Sequence, residues 1–203
     1  MRTPSSRVLL ARQPIIGRNR AIVAHELLYR SSTDQREGAF FVDDALATAT
    51  VVDAAFRRIG IETVVGRSRA LINVDADFLL SRRVEELPSE TVMLELLETI
   101  DIDAKIVARC RALKERGYPI ALDDVCRYSS KFEPILEFAD VVKIDVLQLD
   151  SSSLAKLVRQ LRPWPARLLA EKVETANALR NCVDLGFDFF QGFFCGKPQV
   201  LTA

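Results

Sequence analysis

The residues with the most chemical capacity are polar groups placed where short apolar runs end. These are Asn73; Glu95 and Glu98; Asp123 and Asp124; Lys143 and Asp145; Glu171 and Glu174; and Gln191. A carboxylate within or just past a buried strand costs several kcal/mol unless it is paired or bound to metal. Several carboxylates meeting at one place repel each other and raise each other's pKa. A divalent cation, or two, relieves that repulsion. Oxygen donors with one amide suit Mg²⁺ or Mn²⁺ better than zinc, which prefers His and Cys. Acids at strand ends also serve as helix caps and salt-bridge partners, and Asp145, Asp150 and Glu174 fit that plainer role.

Period-two geometry adds Glu26 and Arg30 to the set. Four apart in an extended run, they share a face, while His25, Leu27 and Tyr29 take the other. Glu26 then faces inward as a ligand, and Arg30 offers charge to an anionic substrate. The lone His25 points outward and reads as a packing residue. Cys110, Cys126, Cys182 and Cys195 form no Cys-x-x-Cys pair and read as small apolar residues. Phe189-Phe190 and Phe193-Phe194 are expected to pack near a barrel floor and rim.

The elements that would hold these groups alternate. Apolar runs of strand length lie at 8–16, 21–29, 70–74, 91–97, 118–122, 141–144, 167–170 and 187–190. The first two are joined by Gly17-Arg18-Asn19-Arg20, a plausible hairpin turn. Helical spacing predicts helices over about 43–60 (Leu46, Ala49, Val52, Phe56 and Ile59 on one face, Asp43 or Asp44 capping, Gly60 closing), 103–116, 151–161 and 175–186. Stretches 31–38 and 81–90 read as loops. Alternation of this kind implies a mostly parallel sheet covered by helices, and about eight strands suffice to close a barrel. The opening hairpin makes one strand antiparallel. In such a barrel the C-terminal strand ends converge on one rim, where active sites sit.

Composition narrows the function classes. The 203 residues make one domain of ordinary size, with 28 basic and 28 acidic side chains in balance. Zero net charge argues against non-specific binding to DNA, RNA or anionic lipid. No apolar stretch approaches the ~18 residues of a membrane helix, and the N-terminus lacks a signal-peptide core. A reduced, cytoplasmic protein is expected.

In order along the chain, these residues resemble the motifs of the EAL domain, the module associated with hydrolysis of the bacterial second messenger cyclic di-GMP. Gln13-Pro14-Ile15 resembles the family's opening motif, and Glu26-Leu27-Leu28-Tyr29-Arg30 stands where Glu-Ala-Leu and its following arginine belong. Asn73, Glu95-Leu-Leu-Glu98, Asp123-Asp124, Lys143-Ile144-Asp145, Glu171-Lys-Val-Glu174-Thr and Gln191-Gly192 follow in register. The resemblance implies a TIM-like (β/α)8 barrel of EAL type with an antiparallel opening strand, filling 1–203 as a single domain.

It also implies a site. Glu26, Asn73, Glu95 and Asp123 would bind one Mg²⁺ or Mn²⁺, with Asp123 or Asp124 shared with a second ion and Glu171 on its far side. Two such ions can stabilise both the attacking and leaving oxygens of an in-line displacement. Lys143 would orient or deprotonate the attacking water, or serve as a charge. Gln13, Arg30 and Gln191 would contact cyclic di-GMP, and Glu98 would anchor the loop after the aspartate pair. The product would be the linear dinucleotide.

One departure opens a second reading. Active members follow the aspartate pair with Phe-Gly-Thr-Gly-Ser, whereas this chain reads Val125-Cys126-Arg127-Tyr128-Ser129-Ser130, without either glycine. A catalytically inactive EAL module, acting as a cyclic di-GMP receptor or protein-interaction domain, is the alternative. The opening ARQPI…HELLYR and the AEKVET stretch resemble the subclass usually followed by an HDOD domain, so such a domain is expected after Ala203. Because the segment 125–138 is altered, any homodimer built through it is expected to be weak or rearranged.

Overall fold

The structure is a computed structural model that describes residues 9–30 and 44–202. Eight strands close into a barrel: β1 (Leu9–Gly17), β2 (Ile22–Arg30), β3 (Arg69–Val74), β4 (Val92–Leu96), β5 (Ile120–Leu122), β6 (Val141–Asp145), β7 (Arg167–Glu171) and β8 (Phe189–Phe190). Strands β2 to β8 run parallel in sequence order, and β1 closes the circle antiparallel to both β2 and β8. A ninth strand, β9 (Gln199–Thr202), which the sequence pattern did not suggest, adds to β1. The hairpin expected at Gly17–Arg20 is present, closed by Arg20 N donating to Gly17 O at 2.9 Å.

Helices α1 (Asp44–Val52), α2 (Ile61–Val65), α3 (Ala76–Leu80), α4 (Ala104–Glu115), α5 (Glu133–Leu136), α6 (Ser151–Leu161) and α7 (Ala176–Leu185) surround the barrel. Three start on the caps the sequence offers. Asp103 accepts from Ile106 N, Asp150 from Ser152 N and Ser153 N, and Thr175 from Ala178 N. Gly186 ends α7 in the left-handed conformation. Short α2, α3 and α5 were not legible, because one helical turn carries no period.

The first helix keeps part of its expected face, with Val52, Phe56 and Ile59 packed partly buried against the core. Leu46 is exposed, and the buried positions are Thr48, Val51, Ala54 and Ala55. At Asp53 the α-helix gives way to a wider π-helix running to Ile59, which rotates the buried face off the 3.6-residue stripe. Gly60 is at φ 91°, ψ 125°, outside the left-handed helical region expected of a cap. Asp43 and the loop 31–38 lie outside the described residues. The expected loop 81–90 contains a turn of 3₁₀-helix, Arg82–Glu86.

Inside the barrel the side chains stack in layers. Ile15, Ala24, Leu71, Met93, Ala121, Val141, Leu169 and Phe189 form an apolar floor. Two residues further along each parallel strand the same inward face turns polar: Glu26, Asn73, Glu95, Asp123, Lys143, Glu171 and Gln191. Strand β1 runs the other way, so its polar partner, Gln13, precedes Ile15 by two. Period-two alternation thus delivers one site residue per strand to a single level. Strand residues between them, such as Ile72, Leu94, Leu96, Val142, Ile144, Leu168 and Ala170, face outward into the helix-packed core. Among the described residues no helix is long and apolar enough to cross a membrane.

Candidate active site

Lys143 is the centre of the polar layer. It is fully enclosed, 1% exposed, on strand β6. Its Nζ lies 3.0 Å from Asp123 Oδ1, 2.9 Å from Glu171 Oε1 and 3.7 Å from Glu26 Oε2, and it donates to Glu95 Oε1. Strand register explains the convergence. Asn73 is the direct neighbour of Glu95, and Gln13 of Glu26, so each pair projects the same way at one level. Asn73 Nδ2 donates to Glu26 Oε1 at 3.3 Å, and Gln191 Nε2 donates to Glu26 Oε2 at 2.6 Å and to Gln13 Oε1 at 3.2 Å.

The loop that carries Gln191 is fixed by close approach. Gly192 sits at φ 148°, and a Cβ there would collide with the backbone of Val173. Val173 N donates to Gln191 O at 2.9 Å, and Phe194 N to Val173 O at 3.1 Å. Only glycine lets the strand ends of β7 and β8 lie this close.

Electrostatics at the layer are dominated by burial and crowding. Burial pushes the Glu95 carboxyl well above its ordinary range; Lys143 opposes this, and Asp123, Glu26 and Glu171 add to it. Burial likewise raises Glu171, to about 7, against the pull of Lys143. For Lys143, burial disfavours the charge, but Glu26, Glu95, Glu171 and Asp123 more than offset it and hold the ammonium well above its usual pKa. In this arrangement the surrounding carboxylates favour the charged form of Lys143.

The donor set suits a hard divalent cation. Asn73 Oδ1 and Glu95 Oε2 are buried without a hydrogen-bond partner, two oxygen acceptors left open beside three further carboxylates. Among the described residues, however, no three of His, Cys, Asp or Glu are already arranged around an ion site. The carboxylates close on the Lys143 ammonium instead. An ion would therefore be held by Glu26, Asn73, Glu95 and Asp123 turning part of their charge from the lysine.

Of the residues anticipated from sequence, Glu26, Asn73, Glu95, Asp123, Lys143, Glu171, Gln13 and Gln191 come together. Arg30 is exposed but lines the same mouth, a pocket of about 260 Å³ bounded also by Gln13, Glu26, Glu171, Lys172 and Phe193. Glu98 does not join: it is exposed, past the end of β4, with no hydrogen bond or ion pair among the described residues. Asp124 is turned to Gln148, whose Nε2 donates to both of its oxygens at 3.2 Å. Phe193 and Phe194 are exposed at the rim rather than packed. His25 is buried on the outer face of β2, Nδ1 at 2.8 Å from Ser68 Oγ, as a packing residue should be. Gln148 and Lys172 were missed, since neither sits on an inward strand position. A larger cavity of about 310 Å³ opens at the other mouth, against the apolar floor and away from this chemistry.

The chain matches the EAL domain family over residues 5–198. It belongs to that family. It is 34% identical over 200 residues to the uncharacterized protein YuxH of Bacillus subtilis, covering 97% of this chain and 48% of that one. It is also 34% identical over 196 residues to the cyclic di-GMP phosphodiesterase CdgJ of Vibrio cholerae, covering 95% and 44%. The chain thus spans about half the length of the curated relatives it matches. Its fold is shared with the Bacillus subtilis YkuI protein, an EAL-domain structure with cyclic di-GMP and calcium (TM-score 0.70, 22% identity, 96% of this chain and 56% of that one). Membership fixes the barrel, and function has to be argued from the site it carries.

Proposed function

We propose that this EAL domain binds cyclic di-GMP at the C-terminal mouth of its barrel and hydrolyses one phosphodiester to give the linear dinucleotide. The observation that carries the reading is the ring of Glu26, Asn73, Glu95, Asp123 and Glu171 around Lys143, with acceptor atoms of Asn73 and Glu95 left open. The relative CdgJ, named as a cyclic di-GMP phosphodiesterase, supports the substrate. Mg²⁺ or Mn²⁺ would be held by Glu26, Asn73, Glu95 and Asp123, with Asp124 and Glu171 available to a second ion, and when bound would supply Lewis-acid polarisation of the phosphate and a more acidic water. Arg30 and Lys172 bring positive charge to the anionic diester. Lys143 donates an N–H to position the attacking water; Gln191 holds Glu26, Gln13 accepts from Gln191, and both offer amides to the ligand. Water adds across one P–O ester bond, its OH to phosphorus and its proton to the departing sugar oxygen. A cytoplasmic setting and a companion HDOD domain belong to the same proposal.

A second reading, a non-catalytic receptor, is favoured by the loop 125–130. Asp124 keeps a left-handed backbone (φ 44°) without glycine beside it. Chromatography of cyclic di-GMP incubated with the domain and Mn²⁺ separates the two. Linear dinucleotide that vanishes in Glu26→Ala is expected. Binding without product in the folded domain would install the receptor reading in its place.

A further inference from the structure

Asp124 stands apart from the carboxylate it follows. Asp123 points into the lumen, 3.0 Å from Lys143 Nζ. Asp124, at φ 44°, is not among the carboxylates on Lys143 and instead meets the Gln148 amide. The same Nε2 also donates to Asp145 Oδ2 at 3.1 Å, and that oxygen accepts from Lys172 Nζ as well. Asp145 is itself buried and anchored by Leu147 N, which donates to Oδ1 at 2.9 Å. Lys172 also has a positive φ, 54°. A chain of contacts, Asp124–Gln148–Asp145–Lys172, therefore ties together the loops after β5, β6 and β7. Two of its four members hold a backbone conformation that costs side-chain-bearing residues energy, and such strain persists only where surrounding contacts enforce it.

We infer that Gln148 and Lys172 form a clasp that withholds Asp124 from the ion-binding set, so that a second divalent ion binds much more weakly than the first. The inference rests on the metal-dependent reading above and specifies how its two ions differ. The amide contacts both Asp124 oxygens and so fixes the carboxylate's orientation; each oxygen keeps a free lone pair, but turning the group toward an ion in the lumen means breaking those contacts. A hydrogen bond to a charged group is worth roughly tenfold or more in an equilibrium constant. Lys172 adds a fixed positive charge at the rim, on Asp145 and on the pocket wall beside Glu171, where a second cation would approach. Its side chain is more than half exposed, so solvent screens it and its share is the smaller one. Gln148 and Lys172 are thus positioning residues, acting through Asp124.

The test is a Mn²⁺ titration of the metal-stripped domain, read by calorimetry and by the electron paramagnetic resonance signal of free Mn²⁺. The wild-type domain is expected to show one tight class of site and a second class at least roughly thirtyfold weaker. Gln148→Met keeps side-chain length and removes the donor; it should tighten the second class about tenfold and leave the first unchanged. Lys172→Gly removes the charge and suits the positive φ, so it should fold well and tighten the second class about threefold. Two equal classes in the wild type, or a second class unmoved by both substitutions, would overturn the clasp. Glu95→Gln serves as the control on the underlying reading. If the wild type binds no Mn²⁺, or if Glu95→Gln keeps the tight class, the metal site itself is wrong and the clasp falls with it.

Discussion

At the scale of single residues the decisive feature is one ammonium enclosed by four carboxylates. Isolated burial of Lys143 would cost far more than the fold could repay; Glu26, Glu95, Asp123 and Glu171 make it tolerable. Removing one member of a buried ion set leaves the others uncompensated, at ~3–5 kcal/mol. Lys143→Met should therefore destabilise the metal-free domain by about that much at pH 7.5 in urea unfolding, and less at pH 5.5, where Glu95 and Glu171, both raised by burial, take up protons. Added Mn²⁺ should restore part of the loss. An equal penalty at both pH values would show that lost packing, not stranded charge, is responsible. Asn73, Glu95, Asp123, Lys143, Glu171 and Gln191 were legible because each closes an apolar run; Glu26 was legible by period-two spacing and Gln13 by its resemblance to the family's opening motif. Glu98 stands apart from the layer for a physical reason: three residues beyond Glu95 and past the strand end, it lies outside the period-two constraint that aims Glu95 inward. Gln148 and Lys172 left no pattern in the sequence, because loop residues meet through tertiary contact alone.

At the scale of elements, each strand has two faces with opposite duties, and β2 shows both. Glu26 faces the lumen, while His25 is buried on the helix side against Ser68. Burial, with a smaller push from Arg12, lowers the His25 pKa below its ordinary value. The folded state therefore binds fewer protons than the unfolded chain as pH falls through the histidine range. Its stabilising contribution is complete above the unfolded pKa near 6.5 and is lost as pH drops through the depressed folded value. His25→Asn should lose less stability than the wild type between pH 7.5 and pH 5, measured by chemical unfolding. A variant as acid-sensitive as the wild type would locate that sensitivity elsewhere. Strands and capped helices were readable because both carry a period. In the helix opening at Asp44, Val52, Phe56 and Ile59 pack on the expected face, while Leu46 in its first turn is exposed. The Thr48 hydroxyl on the buried face donates to Asn73 O at 2.9 Å, so this helix braces a site strand.

For the whole molecule, closure of the barrel sets the charge problem that ion binding would solve. Because β1 pairs with both β2 and β8, all eight strands aim one inward residue at one level, and acids brought there have no water to retreat to. In the metal-free state Glu95 is raised well above its ordinary pKa and Glu171 to about 7. The folded domain then holds more protons than the unfolded chain between pH 4.5 and 7, so these groups lend stability at low pH that is lost as pH rises through their folded values. A bound divalent cation replaces those protons, and its benefit should be greater where they have left. At a concentration a hundredfold above its dissociation constant an ion contributes about 2.7 kcal/mol. In a domain of this size that raises Tm by roughly 5–10 °C. The expected result is a Mn²⁺-induced rise in Tm of that order at pH 7.5 and a distinctly smaller one at pH 5.5, abolished in Glu95→Gln at both. His25 destabilises the acid side with or without metal, so it cancels from the comparison of Tm with and without Mn²⁺ at each pH. Equal shifts at the two pH values would mean that the ion does not compete with protons at this layer, and the ring around Lys143 would then be a structural ion network rather than a metal site.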